Sequence, residues 1–414
     1  MAAVILSPFY LLLNYYLLRR MLLWFSTLNG FMGRIWFAAP FTFLFILLVL
    51  SPLAAAFTKG RAKAFTQRIC NYWLGILMYL LIFLLLADLT ALVFRLIRHQ
   101  PVFSNPSREM VRIGGGVVFF AVLSFSGYGI FHARHLKTVR YQVSLAKSAS
   151  LPSLKIALAA DFHLGYNTGK YQIQRIVRRI NRMHPDLILF AGDIFDNDFD
   201  AIQNPEGLIH AFRELKSTYG TYACWGNHDI SEVILAGFTF SRKDSPHTSD
   251  PRMDAFLKSS GIRLLEDETL LVDNAFYLIG RLDASCQEKS GITRLAPSKL
   301  LASLQKEKPV IVLDHQPSQL NELSEAGADL VLSGHTHDGQ LFPGNLTTRL
   351  GWENSRGLLA KGKMISIVTS GAGVWGPAMR VGTCSEVGEN TVKFLPSPDL
   401  NGMARQGLVL AHLP

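Results

Sequence analysis

The chain has 414 residues, with 41 basic and 31 acidic side chains and an apolar content of 49%, and this length admits one to three domains. The charge is uneven, because residues 1–140 hold 14 basic and two acidic side chains whereas residues 141–414 hold 27 and 29. The basic residues of the first part stand in short gaps between apolar runs, as charges that flank membrane spans do. The remainder is nearly neutral and shows no basic stripe, which argues against nucleic acid as a partner.

The cysteines form no CxxC pair; they are Cys70, Cys224, Cys286 and Cys384. Their spacing predicts neither a disulfide framework nor a zinc-thiolate site. The cysteine pattern therefore leaves the cellular compartment open.

Apolar runs in the first 140 residues are candidates for membrane spans: residues 2–18, 35–57, 72–94 and 113–131. The second and third runs are each 23 residues long, and a span needs about 20 apolar residues. The first run lacks the basic start and the small-residue cleavage site of a signal peptide, so we interpret it as an anchor. We predict a multi-pass transmembrane region over residues 1–140, with about four spans and three as the alternative.

The charges beside these runs do not decide how the protein is oriented in the membrane. Seven basic side chains flank the runs on each side of the predicted bilayer, so the side on which the rest of the chain lies stays open. Asp88 is the one charged residue within the two longest runs, and an acid at such a position indicates a functional role by default. Its place near the end of its run favours a structural role, facing the helix bundle or the interface.

From about residue 153 the pattern changes to short apolar runs separated by amphipathic stretches. The runs rich in Val, Ile and Leu are predicted strands: 155–160, 187–191, 221–225, 276–280, 310–313, 330–332 and 365–369. Helical patterns lie between them, over residues 171–183, 206–216, 253–259, 298–306 and 319–326. Residues 263–272 and 276–281 are typical of a hairpin. This alternation predicts a layered α/β domain over residues 153–414, after a linker at 141–152.

Polar residues cluster directly after five of these strands, at the ends where open α/β sheets bind ligands. The clusters are Asp161-Phe162-His163, Gly192-Asp193-Ile194-Phe195-Asp196, Gly226-Asn227-His228-Asp229, Asp314-His315 and Gly334-His335-Thr336-His337. Each cluster alone is commonly a turn or a helix cap, but five in this position are hard to explain as turns. Oxygen and imidazole ligands without thiolates favour Mn, Fe or Zn over Ca or Mg.

This set resembles the calcineurin-like metallophosphoesterase superfamily, whose ordered motifs are D-x-H, G-D-x-x-D, G-N-H-[DE], a lone H and G-H-x-H. All five motifs occur in this order between Asp161 and His337. The resemblance covers residues 153 to about 395. The membrane part and the segment from Gly371 to Arg380 resemble the branch called transmembrane protein with metallophosphoesterase domain. The fold that the resemblance implies is a four-layer α-β-β-α sandwich with two mixed sheets.

The resemblance also implies a role for each clustered side chain. Seven of them would hold two divalent metal ions: Asp161, His163 and His337 on one, Asn227, His315 and His335 on the other, and Asp193 bridging both. His228 would be a catalytic residue over the substrate rather than a ligand. Asp196 would orient His228, raise its pKa and fix its tautomer.

These roles imply a hydrolase. Two metal ions about 3.5–4 Å apart would supply a shared hydroxide for in-line attack on phosphorus, and His228 would stabilise the transition state or protonate the leaving oxygen. Some relatives in the branch hydrolyse phosphodiesters, and a related bacterial enzyme cleaves the pyrophosphate of UDP-diacylglucosamine. We therefore expect a membrane-anchored phosphoesterase that meets membrane lipids and acts on a phosphodiester or pyrophosphate; its position at a membrane makes a lipid-linked substrate such as UDP-diacylglucosamine one candidate.

Two alternatives stay open. A nuclease-type phosphodiesterase shares the Gly-Asn-His-Asp motif, although binding to a phosphate backbone needs clustered Lys and Arg. A non-catalytic membrane receptor would use the same site only to bind metal, although no ligand position is missing. The natural substrate, the metal identity and the oligomeric state are left open by the sequence.

Overall fold

The structure is a computed structural model that describes residues 2–101, 106–229, 233–235, 238–240, 249–285 and 293–395. The chain divides into two compact units, one consisting mainly of residues 1–130 and the other beginning at Phe131. Each unit has its own cluster of buried apolar side chains.

The first unit is helical, as expected for long apolar runs that satisfy their backbone hydrogen bonds internally. Its helices are α1 (Ala2–Leu28), α2 (Ile35–Val49), α3 (Ser51–Phe57), α4 (Gly60–Ile97) and α5 (Arg108–Ala133). In the described chain, α4 and α5 are long and apolar enough to cross a membrane, and α2 with α3, bent by 50°, adds a third candidate if it counts as one span. The predicted run 2–18 lies in α1, which these candidates do not include. The count of about four spans therefore stays a prediction.

Asp88 in α4 joins two helices of this unit. Its carboxylate accepts a hydrogen bond from the Tyr16 hydroxyl at 2.6 Å and forms an ion pair with Arg20, both from α1. These contacts favour the structural role, facing the bundle, over a functional one.

The second unit contains two six-stranded mixed sheets. A separate two-stranded sheet pairs β5 (Val233–Leu235) with β6 (Phe238–Phe240). Sheet one has the order β1 (Leu136–Leu145), β14 (Ser385–Phe394), β2 (Ser153–Ala159), β3 (Leu187–Ala191), β4 (Thr221–Cys224) and β7 (Ile262–Leu264). Sheet two has the order β12 (Gly357–Lys361), β13 (Met364–Val368), β11 (Leu330–Ser333), β10 (Val310–Leu313), β9 (Phe276–Gly280) and β8 (Glu268–Val272). In each sheet four adjacent strands are parallel, so their carboxyl ends share one edge.

Alternating side chains on the strands produce the layers. Ile156 and Leu158 of β2 lie in a core that both sheets share, whereas Ala157 and Ala159 face the helices of the first outer layer. Those helices are α6 (Lys170–Asn181), α7 (Pro205–Arg213) and α8 (Pro251–Ser259). Helices α9 (Pro297–Leu300) and α10 (Leu320–Ala326) cover the outer face of sheet two, and α11 (Gly344–Gly351) follows β11 in the chain. The four-layer α-β-β-α sandwich is confirmed.

Several elements differ from the sequence analysis. β1, β12 and β14 are absent from the predicted set, and β1 includes the first five residues of the predicted linker 141–152. β1 is an edge strand whose polar residues alternate with few apolar ones, so it lacks the signal of a buried strand. The predicted hairpin is divided, because β8 pairs with β9 but β7 pairs with β4 in the other sheet. The predicted helix at 298–306 is helical only to Leu300.

The edge strand β1 leads to a prediction about where the second unit can be cut. Leu136, Val143 and Leu145 are at most 7% exposed, and β1 pairs with β14 over ten residues. We expect a fragment 150–414 to be less stable than 134–414 by about 5 kcal/mol, because these three side chains leave the core. Urea denaturation of the two fragments measures the difference, and equal midpoints would show that β1 is dispensable.

Candidate metal centre

The predicted ligands meet where the carboxyl ends of β2, β3 and β4 in sheet one approach those of β10 and β11 in sheet two. Positive φ angles, between 46° and 72°, occur at Asp161, His163, Asp193, His335 and His337. A left-handed backbone costs a non-glycine residue about 1 kcal/mol or more, and such strain concentrates at functional sites. The fold therefore holds the backbone of these five residues in an unfavourable conformation. Their side chains point towards one another.

One cluster consists of Asp161, His163, Asp193 and His337, each offering a ligand atom within 4.8 Å of the others. The two Nε2 atoms of His163 and His337 are 2.9 Å apart, and His337 Nε2 lies 3.8 Å from Asp161 Oδ1. All four residues are buried. Two carboxylates and two imidazoles that converge in this way form a donor set suited to a divalent transition metal.

A second cluster consists of Asp193, His315 and His335. Asn227 completes it, because its Oδ1 lies 3.0 Å from His315 Nε2 and 2.8 Å from His335 Nδ1. The His315 Nδ1–H donates to the carbonyl of Ala191 at 2.8 Å, which leaves Nε2 facing the cluster. A ligating histidine usually has such a partner on its other nitrogen.

Asp193 belongs to both clusters. Its Oδ2 lies 3.3 Å from His315 Nε2 and 3.7 Å from His163 Nε2, and its Oδ1 accepts a hydrogen bond from the His228 backbone N–H at 2.8 Å. The shared position is the one that a bridging carboxylate requires. The structure thus brings all seven predicted ligands together.

His228 lies beside the two clusters and, with His163 and Asp196, forms a third group whose possible ligand atoms lie within 4.8 Å of one another. Its side chain is 14% exposed, against 1% for His163. The His228 Nδ1–H donates to Asn197 Oδ1, whereas the predicted partner Asp196 lies 3.9 Å from Nδ1 and closer, at 3.5 Å, to His163 Nδ1. Asn197 is thus a site residue that the sequence motifs did not predict, although its position directly after Asp196 could have indicated it.

The donor atoms fit metal ions. Asp161 Oδ2 and Asp196 Oδ1 are buried without a hydrogen-bond partner among the described residues, a costly arrangement that a cation would relieve. Gly226 leaves the room that the site needs, since a Cβ there would lie 2.2 Å from Asp193 Oδ1. Asp229 fixes the same turn, because its carboxylate accepts from the backbone N–H groups of Phe195 and Gly226, each at 2.7 Å.

Burial and mutual charge set the protonation of these groups. Burial lowers the pKa of His337 well below its ordinary value and that of His335 to about 3, so both rings are neutral near pH 7. Burial opposes ionisation of Asp193, but the positive charge of His315 outweighs it and lowers the Asp193 pKa. Burial raises the pKa of Asp229 to about 8, helped by the negative charge of Asp193. His335, His337 and Asp193 are therefore in the forms that bind metal, whereas His315 would release a proton when it binds a cation.

Arg380 bonds to backbone carbonyls beside the metal centre. It was not among the predicted site residues. Its guanidinium is fully buried and donates to the carbonyls of His337 at 3.2 Å, Ser370 at 2.7 Å and Gly373 at 2.9 Å. It thereby joins the turn that carries His337 to the loop at 370–373. Gly371 of that loop, at φ +83°, passes so close to Asp161 that a Cβ would lie 2.7 Å from the Asp161 Cβ.

We expect Arg380→Lys to weaken metal binding about 10- to 100-fold, the usual effect of losing an outer partner of a ligand. A single ammonium cannot reach the carbonyls on both sides as the planar guanidinium does. Equilibrium dialysis against Mn²⁺ gives the affinity. Arg356→Lys is the matched control, because among the described residues Arg356 pairs with Asp338 and Glu386 and not with a predicted metal ligand. An equal loss in both variants would refute a specific role of Arg380.

The chain was compared with protein families and curated proteins. Residues 154–339 match the family model described as calcineurin-like phosphoesterase. An uncharacterized metallophosphoesterase of Aquifex aeolicus is 31% identical over 280 residues, which are 67% of this chain and 98% of that protein. A transmembrane protein with metallophosphoesterase domain from Danio rerio is 28% identical over 70% of this chain and 64% of its own length. The UDP-2,3-diacylglucosamine pyrophosphatase LpxG of Chlamydia trachomatis is 25% identical over 60% of this chain and 86% of its own length.

The fold and the site define a metallophosphoesterase, and the chain belongs to the calcineurin-like phosphoesterase family. It is a metal-dependent hydrolase of phosphoester bonds. The apolar helices of the first unit and the relatives named transmembrane proteins indicate a membrane protein.

Proposed function

We propose that the protein is a two-metal phosphoesterase that hydrolyses a phosphodiester or pyrophosphate bond in a lipid-linked substrate such as UDP-diacylglucosamine. The observation that carries the proposal is the shared carboxylate of Asp193 between two histidine clusters. One ion would be held by Asp161, His163 and His337, the second by Asn227, His315 and His335, with Asp193 on both. When bound, such ions polarise phosphoryl oxygens and lower the pKa of water.

The protein side chains then position and protonate the substrate. His228 is the open imidazole beside the ligands, and its bond to Asn197 leaves Nε2 as the nitrogen that meets the leaving oxygen. Burial lowers the pKa of His228, and the negative charge of a bound phosphate opposes that shift by favouring the protonated ring. Asp196, between His228 and His163, is placed to stabilise the same charge. His228 is therefore assigned as the proton donor to the leaving group.

Two features of the second unit support a lipid-linked substrate. Leu346 and Leu350 stand four residues apart along α11 and are 49% and 89% exposed, and Phe342, which precedes the helix, is 43% exposed. All three follow the turn that carries His335 and His337 in the chain. In addition, the carbonyl of Ala133, the last residue of α5, accepts a hydrogen bond from Ser385 at 3.1 Å. The neighbouring Cys384 accepts from Ser370, which in turn binds Arg380. These bonds join the first residues of the second unit to the loop that contacts Arg380.

The test uses the full-length protein in detergent. We expect Mn²⁺-dependent hydrolysis of bis-p-nitrophenyl phosphate that EDTA abolishes. Cleavage of UDP-2,3-diacylglucosamine in mixed micelles should exceed that of UDP-glucose by at least about tenfold in kcat/KM, because acyl chains add apolar contact. Leu346→Asn should raise KM for the lipid substrate only. Leu271→Asn, 45% exposed on β8, is the matched control.

Each outcome has a defined meaning. Equal rates on the two pyrophosphates would refute the lipid-linked substrate but retain the phosphoesterase. Preferential cleavage of DNA or RNA would favour the nuclease alternative. Two bound metals without turnover on any of these substrates would refute the proposed chemistry.

A further inference from the structure

Helix α6 carries an arginine face that the metal centre does not use. Its residues Ile173, Ile176, Val177 and Ile180 are buried in the core of the first outer layer. The opposite side presents Tyr171, Arg175, Arg178 and Arg182, at successive spacings of four, three and four residues. Arg179 joins the last three in lining an open cavity of about 370 Å³. The expectation that this unit has no basic stripe is therefore wrong.

The arginine face, defined as Arg175, Arg178, Arg179 and Arg182, lacks a counter-charge. None of the four forms a salt bridge with any residue in the described part of the chain. Like charges four residues apart, as at 175 and 179 or 178 and 182, destabilise a helix. The face therefore holds a concentrated positive charge that a bound anion would relieve.

One contact places this face near the point where the chain leaves α5. Arg175 Nη2 donates to the carbonyl of Arg134 at 2.7 Å, and Arg134 directly follows the last residue of that candidate span. Because a helix rises about 1.5 Å per residue, Arg182 lies only about 10 Å further along α6, close to one Debye length at 0.1 M salt. Tyr171, which begins the exposed side, is 84% exposed, and tyrosine is enriched at membrane interfaces.

We propose that the arginine face of α6 binds the phosphate headgroups of anionic phospholipids in the leaflet beside the end of α5. The guanidinium fork matches phosphate oxygens, and each basic residue at an anionic surface contributes about fivefold in affinity. A nucleic acid or free phosphate offers the same chemistry. The contact with Arg134 favours the lipid, because Arg134 directly follows α5, one of the candidate membrane spans. The inference does not depend on the substrate of the metal centre.

The experiment uses full-length protein in nanodiscs of phosphatidylcholine alone or with about 30% phosphatidylglycerol as the anionic lipid. A fluorophore on Gln174→Cys, in a chain with Cys286→Ser, reports quenching by a headgroup-spin-labelled lipid; the cysteines of the described chain are buried. We expect stronger quenching in the anionic discs that disappears near 1 M salt, where the Debye length is about 3 Å. Arg178→Gln should weaken the response to phosphatidylglycerol about fivefold, and a quadruple Arg→Gln variant should abolish it.

The control removes the same charge elsewhere. It replaces four exposed lysines of the second unit by glutamine, namely Lys258, Lys299, Lys306 and Lys363, and should keep the lipid response. Unchanged hydrolysis of bis-p-nitrophenyl phosphate in all variants would show that the fold is intact, and Arg178→Gln alone carries the test if the quadruple variant does not fold. Equal quenching in both discs, or an equal loss in the lysine control, overturns the proposal. Displacement by an oligonucleotide or by inorganic phosphate, without a lipid difference, assigns the face to those anions instead.

Discussion

His228→Ala is expected to retain both metal ions while turnover falls about 10²- to 10⁴-fold, the range for loss of a general acid. The ring is 14% exposed, bonds to Asn197 and packs edge-on against the His163 ring, whereas the hydrogen bond to Asp193 comes from the backbone N–H, which alanine keeps. The ligand positions should therefore be preserved. Measurement of Mn²⁺ per chain and of kcat on the same preparation separates the two effects.

The choice of leaving group tests whether His228 acts as a proton donor. A p-nitrophenolate departs with little protonation, whereas an alkoxide requires it, so the loss in His228→Ala should be larger on an alkyl phosphodiester. Asn197→Leu should reproduce part of the loss, because it removes the hydrogen-bond partner of Nδ1. Loss of bound metal in His228→Ala would show that His228 is a ligand, contrary to the role assigned here.

Asp193→Asn is expected to remove metal binding and reduce hydrolysis to the level of EDTA-treated wild type. One oxygen of Asp193 lies within 3.7 Å of a histidine in each cluster, so the substitution takes the negative charge from both positions at once. Saturating Mn²⁺, at 100 times the dissociation constant, should stabilise the wild type by about 2.7 kcal/mol and leave the variant unchanged. Thermal unfolding with and without Mn²⁺ measures this difference.

Asp329→Asn is the matched control for that experiment. Asp329 is also largely buried, but its partners are Lys147 and the backbone N–H of Val310, outside the metal centre. This variant is expected to lose stability and still respond to Mn²⁺. An Asp193→Asn protein that holds two metals per chain would contradict the bridging role.

The sequence was most informative about the strands that carry the site. β2, β3, β4, β10 and β11 are short apolar runs buried on both faces, and each ends in a polar cluster, so a local pattern was enough to predict them. The order of the motifs supplied the family, and the family supplied the grouping of the ligands. The side chains that the motifs name do lie together in the structure.

The sequence was least informative where an element depends on a distant partner. β1 has too few apolar residues to be recognised, and it is a strand because β14, about 250 positions later, pairs with it. The divided hairpin has the same cause, since the partner of β7 is β4 in the other sheet. Arg380 belongs to the site only because the folded chain brings its guanidinium to the backbone carbonyl of His337.

By itself, the sequence determined the class of the protein, the apolar helices of its first part and the identity of the residues that can bind metal, because each depends on local composition and spacing. Only the tertiary structure decided that Asn197 is the partner of His228, that Arg380 holds the turn of His337, and that Arg175 of α6 bonds to Arg134, the residue after α5. These relations arise from contacts between residues far apart in the chain. No local sequence pattern predicts such contacts, because they contribute to the free energy of folding only after the layers have packed.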